Sequence, residues 1–148
     1  MIEVVNAKKE DYDNFLDVFK ELEEYHRLKA PWKFKKPEGE LFPKDYFQEL
    51  IYNKDALFIL AKSNNETIGF LVAFKEKSSN RSMLQPRRWI HIDDLSIKNN
   101  YKKKGIGTLL MSKAEEFARK NKINEIELNV WCFNGGAIKF YEKKKKVS

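Results

Sequence analysis

The sequence has few metal-binding or disulfide-forming side chains and no long apolar run. It contains one cysteine, Cys132, which excludes an internal disulfide framework. Only two histidines accompany that cysteine, so we predict no metal site. No apolar stretch approaches the roughly 20 residues of a membrane span, and residues 1–5 lack the charged start and apolar run of a signal peptide. We therefore expect a soluble cytoplasmic protein with no membrane partner.

The composition is that of one globular domain with a locally clustered positive charge. The chain has 148 residues, of which 42% are hydrophobic and 14% aromatic, enough for a single core. Its formal net charge is +7, and seven lysines fall in two runs, at 102–104 and 143–146. Without those seven the charges nearly balance. The excess charge therefore indicates a local anion site or solvated lysine runs, and not a basic surface all over the molecule.

The most informative segment is the glycine turn at residues 101–107, which read Tyr-Lys-Lys-Lys-Gly-Ile-Gly. It separates a strand pattern at 89–97 from a helix pattern that begins near Thr108 and ends at about Lys120. Two glycines one residue apart allow backbone N–H groups to converge on a ligand. The helix start adds unpaired N–H donors and the positive end of its dipole. The segment therefore predicts an anion pocket suited to a pyrophosphate.

The hydrophobic periodicity predicts alternating strands and helices along the whole chain. Strands are predicted at 2–5, 56–61, 67–75, 89–97 and 125–131, and helices at 9–28, 44–52, 108–120 and 135–143. The second and third strands form a hairpin across residues 63–66. The crossover through the third helix requires parallel strands on either side of it. We predict a mixed α/β sheet with helices on both faces and a ligand crevice where the parallel strands separate.

Three motifs stand out in the second half of the sequence: the Asp93–Ile97 strand, the glycine turn at 101–107, and Asn134-Gly-Gly-Ala137-Ile-Lys-Phe-Tyr141. Together they resemble the GNAT superfamily of acetyl-CoA-dependent N-acetyltransferases. The family loop reads Arg/Gln-x-x-Gly-x-Gly/Ala and the later motif Asn-x-x-Ala-x-x-x-Tyr. The resemblance implies one N-acetyltransferase domain over 1–148, with a mostly antiparallel sheet and a splayed parallel pair. Lys102 departs from the family by replacing Arg or Gln, which keeps the charge but loses the guanidinium fork.

The family usually continues past its tyrosine helix with Gly-Phe and two more strands. This sequence instead ends in four lysines followed by Val-Ser. We therefore expect a C-terminally truncated domain that lacks the last hairpin. The 125–131 strand would then keep an open edge, which predicts a homodimer or a partly disordered C-terminus.

The resemblance also implies that acetyl-CoA is the cofactor and assigns residues to it. The pyrophosphate would rest on the amides of 102–107 beside Thr108, the pantetheine would run along the 95–97 strand, and Asn134 would hydrogen-bond the pantetheine. The implied cofactor-binding residues are Leu95, Ser96, Ile97, Lys102, Lys103, Lys104, Gly105, Ile106, Gly107, Thr108, Asn134, Ala137 and Tyr141.

Two residues are the candidates for proton transfer. Tyr141 would donate a proton to the departing thiolate, although a core aromatic at that position is the alternative. Asp93 would act as the base, directly or through a water. Alternation along a strand puts Asp93 and Asp94 on opposite faces, so only one of them is expected to face the crevice.

The acceptor is expected to be a small-molecule or peptide amine, with Tyr25, His26, Trp32 and Phe34 near its entrance. Acidic side chains near the entrance favour a cationic acceptor. A catalytically weakened acyl-CoA-binding or regulatory protein is the competing hypothesis. We do not expect nucleic acid binding, since the lysine runs lack interleaved aromatic residues.

Overall fold

The computed structural model describes residues 1–33, 35, 39–78 and 86–128. The strands are β1 (Ile2–Asn6), β2 (Ala56–Ser63), β3 (Glu66–Lys77), β4 (Arg88–Ile97) and β5 (Ile126–Leu128). The helices are α1 (Tyr12–Lys29), α2 (Lys44–Tyr52) and α3 (Ile106–Lys120). Short 3₁₀ turns precede α1 at Lys9–Asp11 and α3 at Asn99–Tyr101. The predicted element order is confirmed through β5, and the predicted helix at 135–143 lies outside the described residues.

The strands form one five-stranded sheet in the order β1-β2-β3-β4-β5. The first four strands pair antiparallel with their neighbours. β4 and β5 pair parallel, with residues 90–92 opposite 126–128. The chain crosses over through α3 between these two strands, as a parallel pair requires. The predicted mixed, mostly antiparallel α/β sheet is therefore confirmed. The predicted splay of the parallel pair concerns positions after residue 128, which lie outside the described residues.

Each face of the sheet is covered by helices, as predicted. Alternation along β2 sends Phe58 and Leu60 towards α1 and α2, and Ile59 and Ala61 towards α3. On the α1 side, Phe15 is fully buried and its ring lies within 5.8 Å of five other phenylalanine rings, at 19, 42, 47, 58 and 70. On the α3 side the core is aliphatic. These two cores hold α1 and α3 on opposite faces, so that the ends of both helices approach β4.

β3 and β4 lie unusually close where β4 approaches its C-terminal end. A Cβ added to Gly69 would lie 2.8 Å from Cδ1 of Ile97 and 3.0 Å from the carbonyl oxygen of Ser96. The glycine therefore permits a backbone approach that alanine would prevent. This approach positions the last three residues of β4, which form the floor of the cleft described next.

Candidate active site

A cleft of about 780 Å³ opens between α1, the end of β4 and the turn that leads into α3. The floor is Leu95–Ile97, one wall is the C-terminal half of α1, and the other wall is the glycine turn with the first residues of α3. The wall residues from α1 are Glu21, Leu22, Glu24, Tyr25 and Leu28. The crevice at the C-terminal end of β4 is therefore present where the sequence predicted it.

The glycine turn reverses the chain through two residues in the left-handed region. Lys103 has φ 63° and Gly105 has φ 79°. α3 begins directly after Gly105, at Ile106, two residues earlier than predicted. Gly105 has no side chain with which to cap the helix, so the first α3 N–H groups are free to bind a ligand. Together with the helix dipole they form a site suited to a phosphate group.

Most of the predicted cofactor residues that the structure describes line this one cleft. They are Leu95, Ser96, Ile97, Lys102, Lys103, Gly105, Ile106, Gly107 and Thr108. Lys104 is exposed, and its Nζ lies 5.4 Å from the ring centroid of Tyr101. Asn134, Ala137 and Tyr141 lie outside the described residues.

The predicted acceptor residues do not form one cluster. Tyr25 lines the cleft, and Nζ of Lys102 lies 5.8 Å from its ring centroid, which connects α1 with the glycine turn. The His26 ring neighbours that of Tyr25, with the centroids 6.2 Å apart, and burial lowers the pKa of His26. Trp32 is 79% exposed on the loop after α1. Phe34 lies outside the described residues.

A β-bulge at Asp93 changes the predicted geometry of the two adjacent carboxylates. Val72 pairs with Asp94 and Ala73 with Ile92, so Asp93 is an extra residue in β4. Ile92 and Leu95, three positions apart, both pack on the α3 core. The expectation that strict alternation separates Asp93 from Asp94 was therefore wrong, because the bulge interrupts the alternation between Ile92 and Leu95.

The bulge brings an unusual titratable group next to the cleft floor. Burial, followed by repulsion from Asp93, raises the pKa of Asp94 to about 7. Asp93 is more accessible, with 45% of its side chain exposed, and its Oδ1 lies 4.0 Å from Nε2 of His91. His91 in turn lies 3.3 Å from a Glu127 carboxylate oxygen through Nδ1. The raised pKa of Asp94 lies near neutral pH.

Tyr46 was not singled out by the sequence, although it belongs to the same electrostatic group. Burial raises its pKa, and the charges of Asp93, Asp94 and Glu49 raise it further. Tyr46 lies on α2, more than 40 residues before the bulge in the chain. Only the packing of α2 against the sheet brings these groups together, so no local pattern could have identified the residue.

Two properties of the residues that the structure describes concern membranes and metals, namely the length and polarity of the helices and the grouping of metal-binding side chains. No described helix is long and apolar enough to cross a membrane. Across those same residues, no group of three or more histidine, cysteine, aspartate or glutamate side chains is arranged to hold a metal ion.

The comparison with known families agrees with this geometry. The model of the acetyltransferase (GNAT) family matches residues 16–145, which is most of the chain. The chain belongs to this family. The resemblance found in the sequence is thereby confirmed, and the cleft lies at the family's glycine motif.

Individual relatives and folds are consistent with that membership. An uncharacterized N-acetyltransferase of Methanocaldococcus jannaschii is 28% identical over 142 residues, covering 93% of this chain and 57% of the relative. Streptothricin acetyltransferase A of Bacillus subtilis is 28% identical over 106 residues, covering 70% of this chain and 60% of the relative. The chain thus spans less than two thirds of the length of these two relatives. The crystal structure of a tetramutant of the Bacillus halodurans BH1408 protein shares the fold, with a TM-score of 0.88 at 20% identity, covering 95% of this chain and 90% of that one.

Proposed function

We propose that this acetyltransferase-family chain transfers an acetyl group from acetyl-CoA to a primary amine within a ternary complex. The observation that carries the proposal is the uncapped start of α3 behind the left-handed Gly105, which opens into a cleft of about 780 Å³. The donors of this turn fit a diphosphate, since they are backbone N–H groups at a helix N-terminus with two lysines nearby.

The chain's residues divide into binding and proton-transfer roles. The N–H groups of residues 106–108 would bind the diphosphate, and Lys102 and Lys103 would attract it over a longer range, screened by salt. Leu95–Ile97 would carry the pantetheine arm along the floor. Acetyl-CoA supplies the activated acetyl thioester, so that a C–N bond forms as the C–S bond breaks. The chain then has to remove a proton from the amine and to orient both reactants.

We assign the base role to Asp94 in place of Asp93. A general base works best when its pKa lies near the operating pH, and that of Asp94 is raised to about 7. Asp94 also directly precedes the cleft floor at Leu95. Asp93 would act on Asp94 through its charge. Tyr141 stays the proposed acid from the sequence motif, and we expect Tyr141→Phe to lower turnover more than cofactor binding.

The decisive experiment combines calorimetry with acetyl-CoA and thiol release in the presence of a panel of primary amines. We expect saturable cofactor binding and amine-dependent release of CoA. Absence of binding to the folded protein would overturn the proposal. Binding without thiol release for any amine would favour the competing acyl-CoA-binding or regulatory function.

A further inference from the structure

The two walls of the cleft carry charges of opposite sign. The glycine-turn wall holds Lys102 and Lys103 and the α3 N-terminus, whereas the α1 wall holds Glu21 and Glu24. A carboxylate that shares a cleft with a diphosphate repels it and weakens its binding. The presence of two carboxylates on this wall therefore needs a separate explanation for each of them.

Glu21 is explained by a contact within the protein. Its Oε2 accepts a hydrogen bond from the backbone N–H of Asn99, at 3.1 Å. Asn99 begins the 3₁₀ turn that leads into the glycine turn. Glu21 thus connects α1 to the wall on the other side of the cleft, and its carboxylate already has a partner.

Glu24 has no corresponding partner among the residues that the structure describes. The side chain lines the cleft and is partly buried, and throughout the described ranges it makes no hydrogen bond or ion pair. Arg27, three residues after Glu24 on α1, has its Nε 3.1 Å from Oε1 of Glu23 instead. Removing a carboxylate from water without a partner is unfavourable, so this position is suited to a cation supplied by a ligand.

We propose that Glu24 binds a second cationic group of the acceptor, so that the preferred substrates are amines with two or more positive charges. The inference rests on the proposed function and refines it, because the cationic group would share the cleft with the cofactor. Glu24 is then a determinant of acceptor specificity, and it contributes nothing favourable to binding of the anionic cofactor.

The test compares two probes of equal chain length, 1,4-diaminobutane and butylamine, with acetyl-CoA at saturation. We expect Glu24→Gln to lower kcat/KM for the diamine by about tenfold, the loss for a hydrogen bond to a charged group. Butylamine has no second charge, so its kcat/KM should fall much less than that of the diamine. Asp17→Asn is the matched control, since Asp17 is an exposed carboxylate on α1 that does not line the cleft, and it should leave the diamine-to-monoamine ratio unchanged.

Two readouts separate this inference from the proposed function. If Glu24→Gln leaves the ratio of kcat/KM for the diamine to kcat/KM for butylamine unchanged, the inference is overturned. Turnover of butylamine would still support the acetyltransferase activity in that case. A weaker affinity of Glu24→Gln for acetyl-CoA also overturns it, because Glu24 would then support the cofactor. Should no amine react at all, calorimetry with 1,4-diaminobutane still decides: binding that Glu24→Gln abolishes supports the cation site, and absence of binding to the unaltered protein overturns it.

Discussion

At the scale of single residues, two positions carry the proposed chemistry. Gly105 adopts a left-handed φ of 79° directly before α3 begins, and no side chain caps that helix start. Asp94 follows the β-bulge and has a pKa raised to about 7 by burial and by Asp93. Both properties depend on the exact residue, so single substitutions test them.

Asp94→Asn should reduce turnover by about 100-fold or more, the usual contribution of a general base, with little change in acetyl-CoA affinity. The limb of the pH–rate profile near pH 7 should disappear in this variant. Asp93→Asn is the informative comparison, because it removes the negative charge next to Asp94. In the Asp93→Asn variant, the limb of the pH–rate profile should therefore move to lower pH. If Asp94→Asn retained the wild-type pH profile, Asp94 would not be the base.

The same group makes stability depend on pH. Because the folded pKa of Asp94 is raised above its ordinary value of 3.8, the folded state binds this proton more tightly than the unfolded state. The contribution of this protonation to the free energy of unfolding is fully present below pH 4 and is lost as pH rises through 7. Asp94→Asn should therefore raise the free energy of unfolding at pH 8, by up to about 4 kcal/mol, and change it little at pH 4. Urea unfolding at both pH values measures this difference.

Gly105→Ala tests the left-handed turn against a matched control. No atom lies within 4 Å of an added Cβ at either Gly105 or Gly39, and their φ values are 79° and 78°. Both alanine variants should lose about 1 kcal/mol of stability from the backbone conformation alone. Only Gly105→Ala should weaken acetyl-CoA binding in calorimetry. Equal effects of the two variants on binding would count against the turn as the diphosphate site.

At the scale of elements, the cleft depends on how closely β3 approaches β4. The carbonyl of Ser96 and the side chain of Ile97 leave no space for a Cβ at Gly69. Those two residues are also part of the cleft floor. A change on β3, which contributes no lining residue to this cleft, should therefore affect ligand binding.

Gly69→Ala should destabilise the protein by about 1 to 3 kcal/mol, since a backbone oxygen cannot move aside cheaply. It should also weaken acetyl-CoA binding by displacing the floor. Ala73→Gly on the same strand serves as the control, because it alters β3 where it pairs with Ile92, before the bulge. We expect that variant to lose stability with unchanged affinity; unaltered affinity in Gly69→Ala would refute the coupling.

At the scale of the whole molecule, one sheet separates two cores. Val18 on α1 is fully buried in the aromatic core on one side of the sheet. Ile90 on β4 is fully buried in the aliphatic core on the other side. The aromatic core holds α1 and α2, and the aliphatic core holds α3. The cleft forms between elements held by different cores. The predicted homodimer stays a prediction, to be measured by sedimentation velocity.

Val18→Ala and Ile90→Val should destabilise the protein additively. Ile90→Val should cost about 0.5 to 1.5 kcal/mol, the usual range for this change. Val18→Ala removes two buried methyl groups and should cost about 2 kcal/mol. Because the sheet lies between the two sites, the double variant should match the sum within about 0.5 kcal/mol. Denaturant unfolding of the three variants checks this, and a larger coupling would mean that the cores are not independent.

Much of this architecture was predictable because it is local. Hydrophobic periodicity reports which face of a segment is buried, and it identified every described helix and strand. The glycine turn was recognisable because Gly105 and Gly107 stand between a strand pattern and a helix pattern. The strand–turn–helix order also placed the ligand crevice at the end of β4. The sequence by itself therefore determined the fold class, the family and the wall of the cleft formed by the glycine turn.

Other features were decided only by the tertiary structure, because they arise from packing between distant segments. The bulge at Asp93 comes from the register of β3 against β4, and no local pattern specifies that register. It is the reason why Asp94 replaces Asp93 as the proposed base. The α1 wall likewise exists only because the aromatic core holds that helix across from the glycine turn. Burial and charge at Glu24 and Asp94 thus follow from contacts between segments that lie far apart in the chain.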